Sequence, residues 1–137
     1  MNALANNNID TTYPNNDKPY KAYLVKMMTF LDNEAYPPDQ NFSVERLRHI
    51  CADDVANYLK WKAFGEANPS QMTRPMKARS STLAYAKKAI SHFIPNHRPD
   101  WDDMNLTGNP TKSAVVNDVI AKVKKFEVRG EGVPSQA

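Results

Sequence analysis

Apolar residues in this chain recur at steps of three and four, and nowhere do they alternate in the period-two manner of a half-buried strand. A helix patterned this way has one apolar stripe that must be covered by another element, so the fold class is all-α. The first run begins at Lys18 and carries Tyr20, Tyr23, Leu24, Met27 and Leu31 at those steps, with Met28 and Phe30 alongside. The pair Pro37–Pro38 is expected to stop it. A second segment starts near Ser43, an N-cap, with Val44, Leu47 and Ile50 on one face. Asp53 and Asp54 open a third, where carboxylates complement the positive end of the helix dipole. Val55, Tyr58 and Leu59 point inward there, and Phe64–Gly65 is an ending with glycine as the C′ residue. Residues 66–79, with Pro69 and Pro75, read as a loop.

Ser80 or Ser81 is expected to cap a fourth helix running to about Ile94, with Leu83, Ala86, Ile90, Phe93 and Ile94 on its inner side. In the loop from Pro95 to Pro110, Trp101 is expected to plug the core. Ser113 caps the last helix, which turns Val116, Val119, Ile120, Val123 and Phe126 inward and ends before Gly130. Asp118 is spaced to pair with Lys122. The whole is a compact bundle of four to five helices.

With 137 residues the chain amounts to one domain. Residues 1–17 are Asn-rich, lack apolar periodicity and read as a disordered lead-in; 18–130 form the helical domain, and 131–137 a tail. Only 4 Gly stand against 10 Pro, which nearly excludes Gly-rich phosphate cradles and dinucleotide-binding turns. The single cysteine, Cys51, has no internal disulfide partner, so a reducing, intracellular compartment is expected. No basic segment followed by an apolar one opens the chain, and no run approaches the ~20 apolar residues of a membrane span, so neither a secretory signal nor a membrane partner is expected.

Charge is distributed unevenly. Residues 1–71 carry 7 Lys/Arg against 9 Asp/Glu, whereas residues 72–137 carry 11 against 6. No acidic residue lies between Glu66 and Asp100, a stretch that holds Arg74, Lys77, Arg79, Lys87, Lys88 and Arg98. A one-sided positive field attracts a polyanion, nucleic acid first among them. On the outer side of the fourth helix Ser81, Tyr85, Lys88 and His92 align, and the last helix presents Lys122, Lys125 and Arg129 outward. Lysine, arginine, serine and tyrosine are the groups that reach phosphates and base edges.

Other candidate chemistry is thin. His49 and Cys51 are two residues apart near a helix end and diverge, so no four-ligand metal site is expected. Cys51 precedes a helix start, which would lower its pKa, but no neighbouring base makes it a nucleophile, and it reads as structural. The adjacent pairs Asp53–Asp54 and Asp102–Asp103 point 100° apart if helical, which is poor geometry for shared acid–base work. The run GNPTKS, Gly108–Ser113, faintly echoes a phosphate-binding loop but lacks its first glycine, the glycine before lysine and the preceding strand; a turn into a capped helix explains it.

Two long blocks, KARSSTLAYAKKAISHFIPN (Lys77–Asn96) and GNPTKSAVVNDVIAKVKKFEVRGEGVPSQA (Gly108–Ala137), resemble the N-terminal helical region of tyrosine recombinase-like proteins of Crypton-type mobile elements, abundant in algae and oomycetes. RLRHICADDVANYLKWKAFGEANPS (Arg46–Ser70) fits as well, and the resemblance spans roughly residues 20–137. It implies a SAM-like core-binding fold that clamps one side of duplex DNA, with nuclear residence. It also implies a separate C-terminal domain carrying an Arg, a Lys, a His-x-x-Arg pair and a Tyr nucleophile. No residue of this chain takes a place in that set: His49 lacks the His-x-x-Arg spacing, and the chain stops where the linker to such a domain would start. Cys51 stands where relatives tend to have a hydroxyl cap.

The expected function is therefore a non-catalytic DNA-binding module with no cofactor, no metal and no small-molecule substrate. Its partners would be double-stranded DNA and, beyond it, a catalytic domain or other protomers. Arg79, Ser81, Tyr85, Lys87, Lys88, His92, Lys122, Lys125 and Arg129 would make the DNA contacts. The alternative is a domesticated protein-interaction bundle, for which Tyr36, Phe42 and Trp61 would form an exposed apolar patch.

Overall fold

A computed structural model describes residues 18–134; the Asn-rich lead-in and the last three residues of the tail lie outside the described residues. The architecture is an all-α bundle: α1 (Lys18–Asp32), α2 (Val44–Arg48), α3 (Ala52–Phe64), α4 (Ser80–Phe93) and α5 (Ala114–Val128), with a 3-10 turn at Pro110–Lys112 leading into α5. Helix α1 packs chiefly on α4 and α3 chiefly on α5, and α4 lies beside α5. The stripes expected to face inward do so, except for Val44 of α2, which is exposed, and Ile120 of α5, which is half-buried at the core's edge. Leu24, Met27, Met28, Val55, Tyr58, Leu59, Leu83, Ile90, Val116 and Val123 share one core, closed at its edges by Phe64, Phe93 and Phe126.

Helix ends depart from expectation in ways that local chemistry explains. Helix α1 stops at Asp32, ahead of Pro37–Pro38, because Asn33 takes the left-handed conformation (φ 52°). Glu34 N–H then donates to Thr29 O at 3.3 Å, closing the last turn on itself. Ser43 caps α2 by accepting from Arg46 N–H at 3.0 Å. That helix lasts a single turn and leaves Val44 40% exposed, while Ile50 reaches the core from beyond its end. At the start of α3, Asp54 Oδ2 accepts from the Cys51 N–H at 3.1 Å, the reciprocal half of a capping box. Burial, foremost, pushes the Cys51 thiol up rather than down, so the helix start does not activate it.

Helix α4 is capped from outside its own segment. Arg79, not Ser80 or Ser81, occupies the N-cap position and makes no side-chain cap bond. Ser80 is the first helical residue, and both its N–H and its hydroxyl donate to the Glu127 carboxylate of α5, at 2.7 Å each. Arg79 adds an ion pair to the same carboxylate at 3.6 Å and donates to Val133 O. One side chain of α5 thus does the work of an N-cap for α4 and gathers the C-terminal tail. Desolvation by burial opposes ionisation of Glu127, but the Ser80 hydrogen bonds and the Arg79 charge outweigh it and hold the carboxyl below the ordinary glutamate value of 4.5. A depressed carboxyl contributes stability above its unfolded pKa and loses it as pH falls through the folded one. Glu127→Gln is therefore expected to lower stability near neutral pH by about 1–2 kcal/mol in urea unfolding. Below the folded pKa of Glu127 the difference between variant and parent should shrink.

Trp101 does not plug the core. It is half-buried in the α4–α5 connection, where its indole N–H donates to Asp103 Oδ1 at 2.6 Å. That connection is held instead by Asn109, which is fully buried. Its side-chain amide donates to Ser91 Oγ (2.8 Å) and His97 O (2.9 Å), and its carbonyl accepts from Thr111 N–H (3.0 Å) and Thr111 Oγ1 (2.7 Å). The preceding Gly108 has φ +95°, and a Cβ there would fall 2.2 Å from Asp100 O, so the close chain crossing admits only glycine. Pro110 then starts the 3-10 turn and Ser113 caps α5 by accepting from Val116 N–H at 3.3 Å. GNPTKS is a buried hydrogen-bonded turn.

Candidate nucleic-acid interface

The side-by-side packing of α4 and α5 leaves a groove of about 650 Å³ between them. Ala84, Lys87, Lys88 and Ser91 line it from α4, and Asn117, Ile120, Ala121 and Lys124 line it from α5; Thr111 and Lys112 close one end. Each helix contributes the same spacing (i, i+3, i+4, i+7), one face of an α-helix. The alanines keep the floor low and the lysines form the walls. Ile120, expected in the core, is half-buried and belongs to this floor.

Lys87, Lys88, Lys112 and Lys124 all line the groove, and no carboxylate lines it. Lys87 Nζ donates to Asn117 Oδ1 at 2.6 Å, a bond that ties the walls together while leaving the ammonium two further donors. Lys112 is fixed by donation to Arg98 O at 2.6 Å and lies 3.9 Å from the exposed Asp100 carboxylate. Lys88 and Lys124 have no carboxylate within ion-pair distance among the described residues. Such a trough of ammonium groups with Ser91 and Asn117 beside them suits a line of phosphate oxygens.

The residues expected to form one DNA face divide among several environments. Lys87 and Lys88 enter the groove. Lys125 is exposed on α5 with no ion pair among the described residues. Tyr85 and His92 lean toward α1: the Tyr85 ring meets those of Tyr20 and Tyr23 edge-on at 5.7 and 5.1 Å, and His92 tilts on Tyr20 at 5.3 Å. Ser81 stays exposed at the start of that crest. Arg79 is committed to Glu127 and Val133, away from the solvent role expected of it. Lys122 sits over the Phe64 ring at 5.5 Å instead of pairing with Asp118. Arg129 lies over Phe126 at 4.7 Å and pairs with Glu131 at 2.9 Å. Lys112 and Lys124 were not among the expected contacts; the signal for Lys124 was its place seven residues after Asn117, on the face that meets α4.

The remaining motifs resolve into local structure. His49 Nδ1 lies 2.7 Å from Glu45 O, and no three His, Cys, Asp or Glu converge as a metal site among the described residues. Asp102 accepts from Met104 N–H and from both nitrogens of Asn105; those bonds, from Asn105 foremost, hold its carboxyl below the usual range. Of the expected apolar patch, Tyr36 and Phe42 meet edge-on at 5.0 Å and pack against the core, leaving Trp61 as its exposed member at 45%. No helix among the described residues is long and apolar enough to cross a membrane. The fold and groove together define a small helical bundle with a cationic trough. No family model, no curated protein and no solved structure matches this chain.

Proposed function

We propose that this chain is a non-catalytic module that binds duplex DNA along the α4–α5 groove, in the manner of the core-binding domain of tyrosine recombinase-like proteins. The observation that carries the reading is the convergence of Lys87, Lys88, Lys112 and Lys124 on a trough that no carboxylate lines. A phosphate backbone laid along such a trough meets four ammonium groups, one of them, Lys112, shared with the exposed Asp100 at its end, and releases its own counterions as it binds. The resemblance of the blocks around both helices to core-binding regions supports duplex DNA as the polyanion and the nucleus as its place. Contacts would be mainly to backbone, with Ser91 and Asn117 positioned beside the phosphates and Lys125 on the flank.

Fluorescence anisotropy with random-sequence duplex across a salt series tests this. Neutralising about five phosphates gives a log–log slope near −4.5 and a fall of several hundred-fold in affinity from ~50 to ~200 mM salt. Absence of binding at low salt would overturn the reading and turn attention to a protein-interaction bundle.

A further inference from the structure

We propose that the cleft between α1 and α3 binds a small amphipathic organic acid, its apolar body against Trp61 and Tyr58 and its carboxylate between Lys26 and Lys62. The cleft encloses about 430 Å³, within the range of small-molecule sites and mostly apolar like them. Val25 from α1 and Tyr58 from α3 form its inner wall, both buried, and Tyr36 closes one side. Trp61 is 45% exposed at the opposite side, with its ring 5.3 Å from Phe30 and 6.3 Å from Tyr58. A tryptophan left uncovered beside a concave apolar wall is surface that an aromatic or branched hydrocarbon body removes from water.

The sign of the ligand's charge follows from the two lysines. Lys62 Nζ lies 5.4 Å from the Tyr23 ring centre and Lys26 Nζ 5.8 Å from the same ring centre, so two ammonium groups gather about one aromatic ring. Neither has a carboxylate within ion-pair distance among the described residues. Partial burial, and then the Lys26 charge, push the Lys62 pKa down, the direction that an anion lodged between them would reverse. Lys62 Nζ also lies 5.9 Å from the Tyr58 ring centre, which sets the ammonium against the aromatic wall that the hydrocarbon body would cover. A cation would be repelled here, and a neutral hydrocarbon would leave these groups unanswered. The occupant is a ligand, with no reaction implied. Since the cleft shares no residue with the α4–α5 groove, its fate and that of the DNA-binding reading are separable.

The test is a titration of the full ¹⁵N-labelled chain with naphthalene-1-carboxylate and, separately, with its neutral isostere naphthalene-1-carboxamide. The expected result is saturable shifts at the amides of Val25, Lys26, Tyr58 and Trp61 and at the Trp61 indole N–H, with the carboxylate bound about tenfold more tightly. Replacing both lysines, Lys26→Gln and Lys62→Gln, should bring that ratio to about two with the carboxamide affinity unchanged. Trp61→Ala should weaken both probes. Equal affinity for the two probes, shifts confined to the α4–α5 groove, or no saturation with either would overturn the proposal. So would shifts produced only by an Asp-rich peptide bearing one Trp, which would assign the cleft to a polypeptide.

Discussion

Reversing Lys88 and Lys124 together to glutamate is expected to weaken binding of random-sequence duplex by about a hundredfold or more at ~100 mM salt. The change removes two ammonium–phosphate contacts and sets two carboxylates against the same backbone, each exchange amounting to more than ~1 kcal/mol. The log–log salt slope should become shallower by about two, because two fewer counterions are released. Net charge alone does not decide the outcome, and a matched control shows it. Lys60→Glu with Lys122→Glu changes the formal charge by the same amount, but both residues line the depression between α3 and α5, on another face of the bundle. That double variant should keep affinity to within about fivefold, the size of a long-range field effect at this ionic strength. Equal losses in the two double variants would mean diffuse attraction with no groove. Both substitutions in the first variant lie on solvent-facing positions, but Lys124→Glu also withdraws a charge that favours ionised Glu127, so the unfolding midpoint should fall slightly while the chain stays folded.

Asn109→Ala should lower stability by about 3–4 kcal/mol, the largest loss anticipated from a single polar side chain in this bundle. Its fully buried amide satisfies Ser91 Oγ and His97 O on the half-buried side and Thr111 N–H and Thr111 Oγ1 on the buried one. Truncation leaves those partners short of a bond in a place where each unmet group costs about 1–3 kcal/mol, partly recovered by relaxation of the connection. Urea unfolding should show a lower midpoint with an unchanged m value. Asn109→Asp is the sharper probe. It keeps the oxygen that accepts from Thr111 but trades the donors to Ser91 and His97 for a second acceptor, so it should be no better tolerated than alanine. A loss under about 1 kcal/mol in either variant would contradict the role assigned to Asn109. Because the same turn delivers Thr111 and Lys112 to the end of the groove, partly folded variants should also show weakened DNA binding.

Where sequence and structure agree, the signal was local. The stripes Leu24–Met27, Val55–Leu59, Leu83–Ile90 and Val116–Val123 were readable because helical hydrogen bonds close within four residues and print a 3.6-residue period on the chain. The caps at Ser43 and Ser113 and the stop at Gly65 (φ 82°) were readable for the same reason: each is satisfied by atoms a few residues away. Asn33 as the end of α1 was legible in principle, since asparagine tolerates the left-handed conformation, but the proline pair four residues later is the louder signal.

What the pattern could not supply was the tertiary partner of an individual side chain. Lys122 and Arg129 stay on the surface as their spacing implies while resting over Phe64 and Phe126, and Arg79 is drawn to Glu127; two of those partners lie far along the chain. Trp101 is apolar by composition and sits in a connection, where Asp103, two residues on, satisfies its indole. The amino-acid sequence alone determined an all-α chain, the positions of its helices and the side of each that is buried, because those follow from short-range hydrogen bonding and apolar period. The tertiary structure decided that α4 and α5 lie side by side with matching small residues. That contact turns lysines from two helices and a turn into one trough, and it comes from long-range packing that no single segment's pattern encodes.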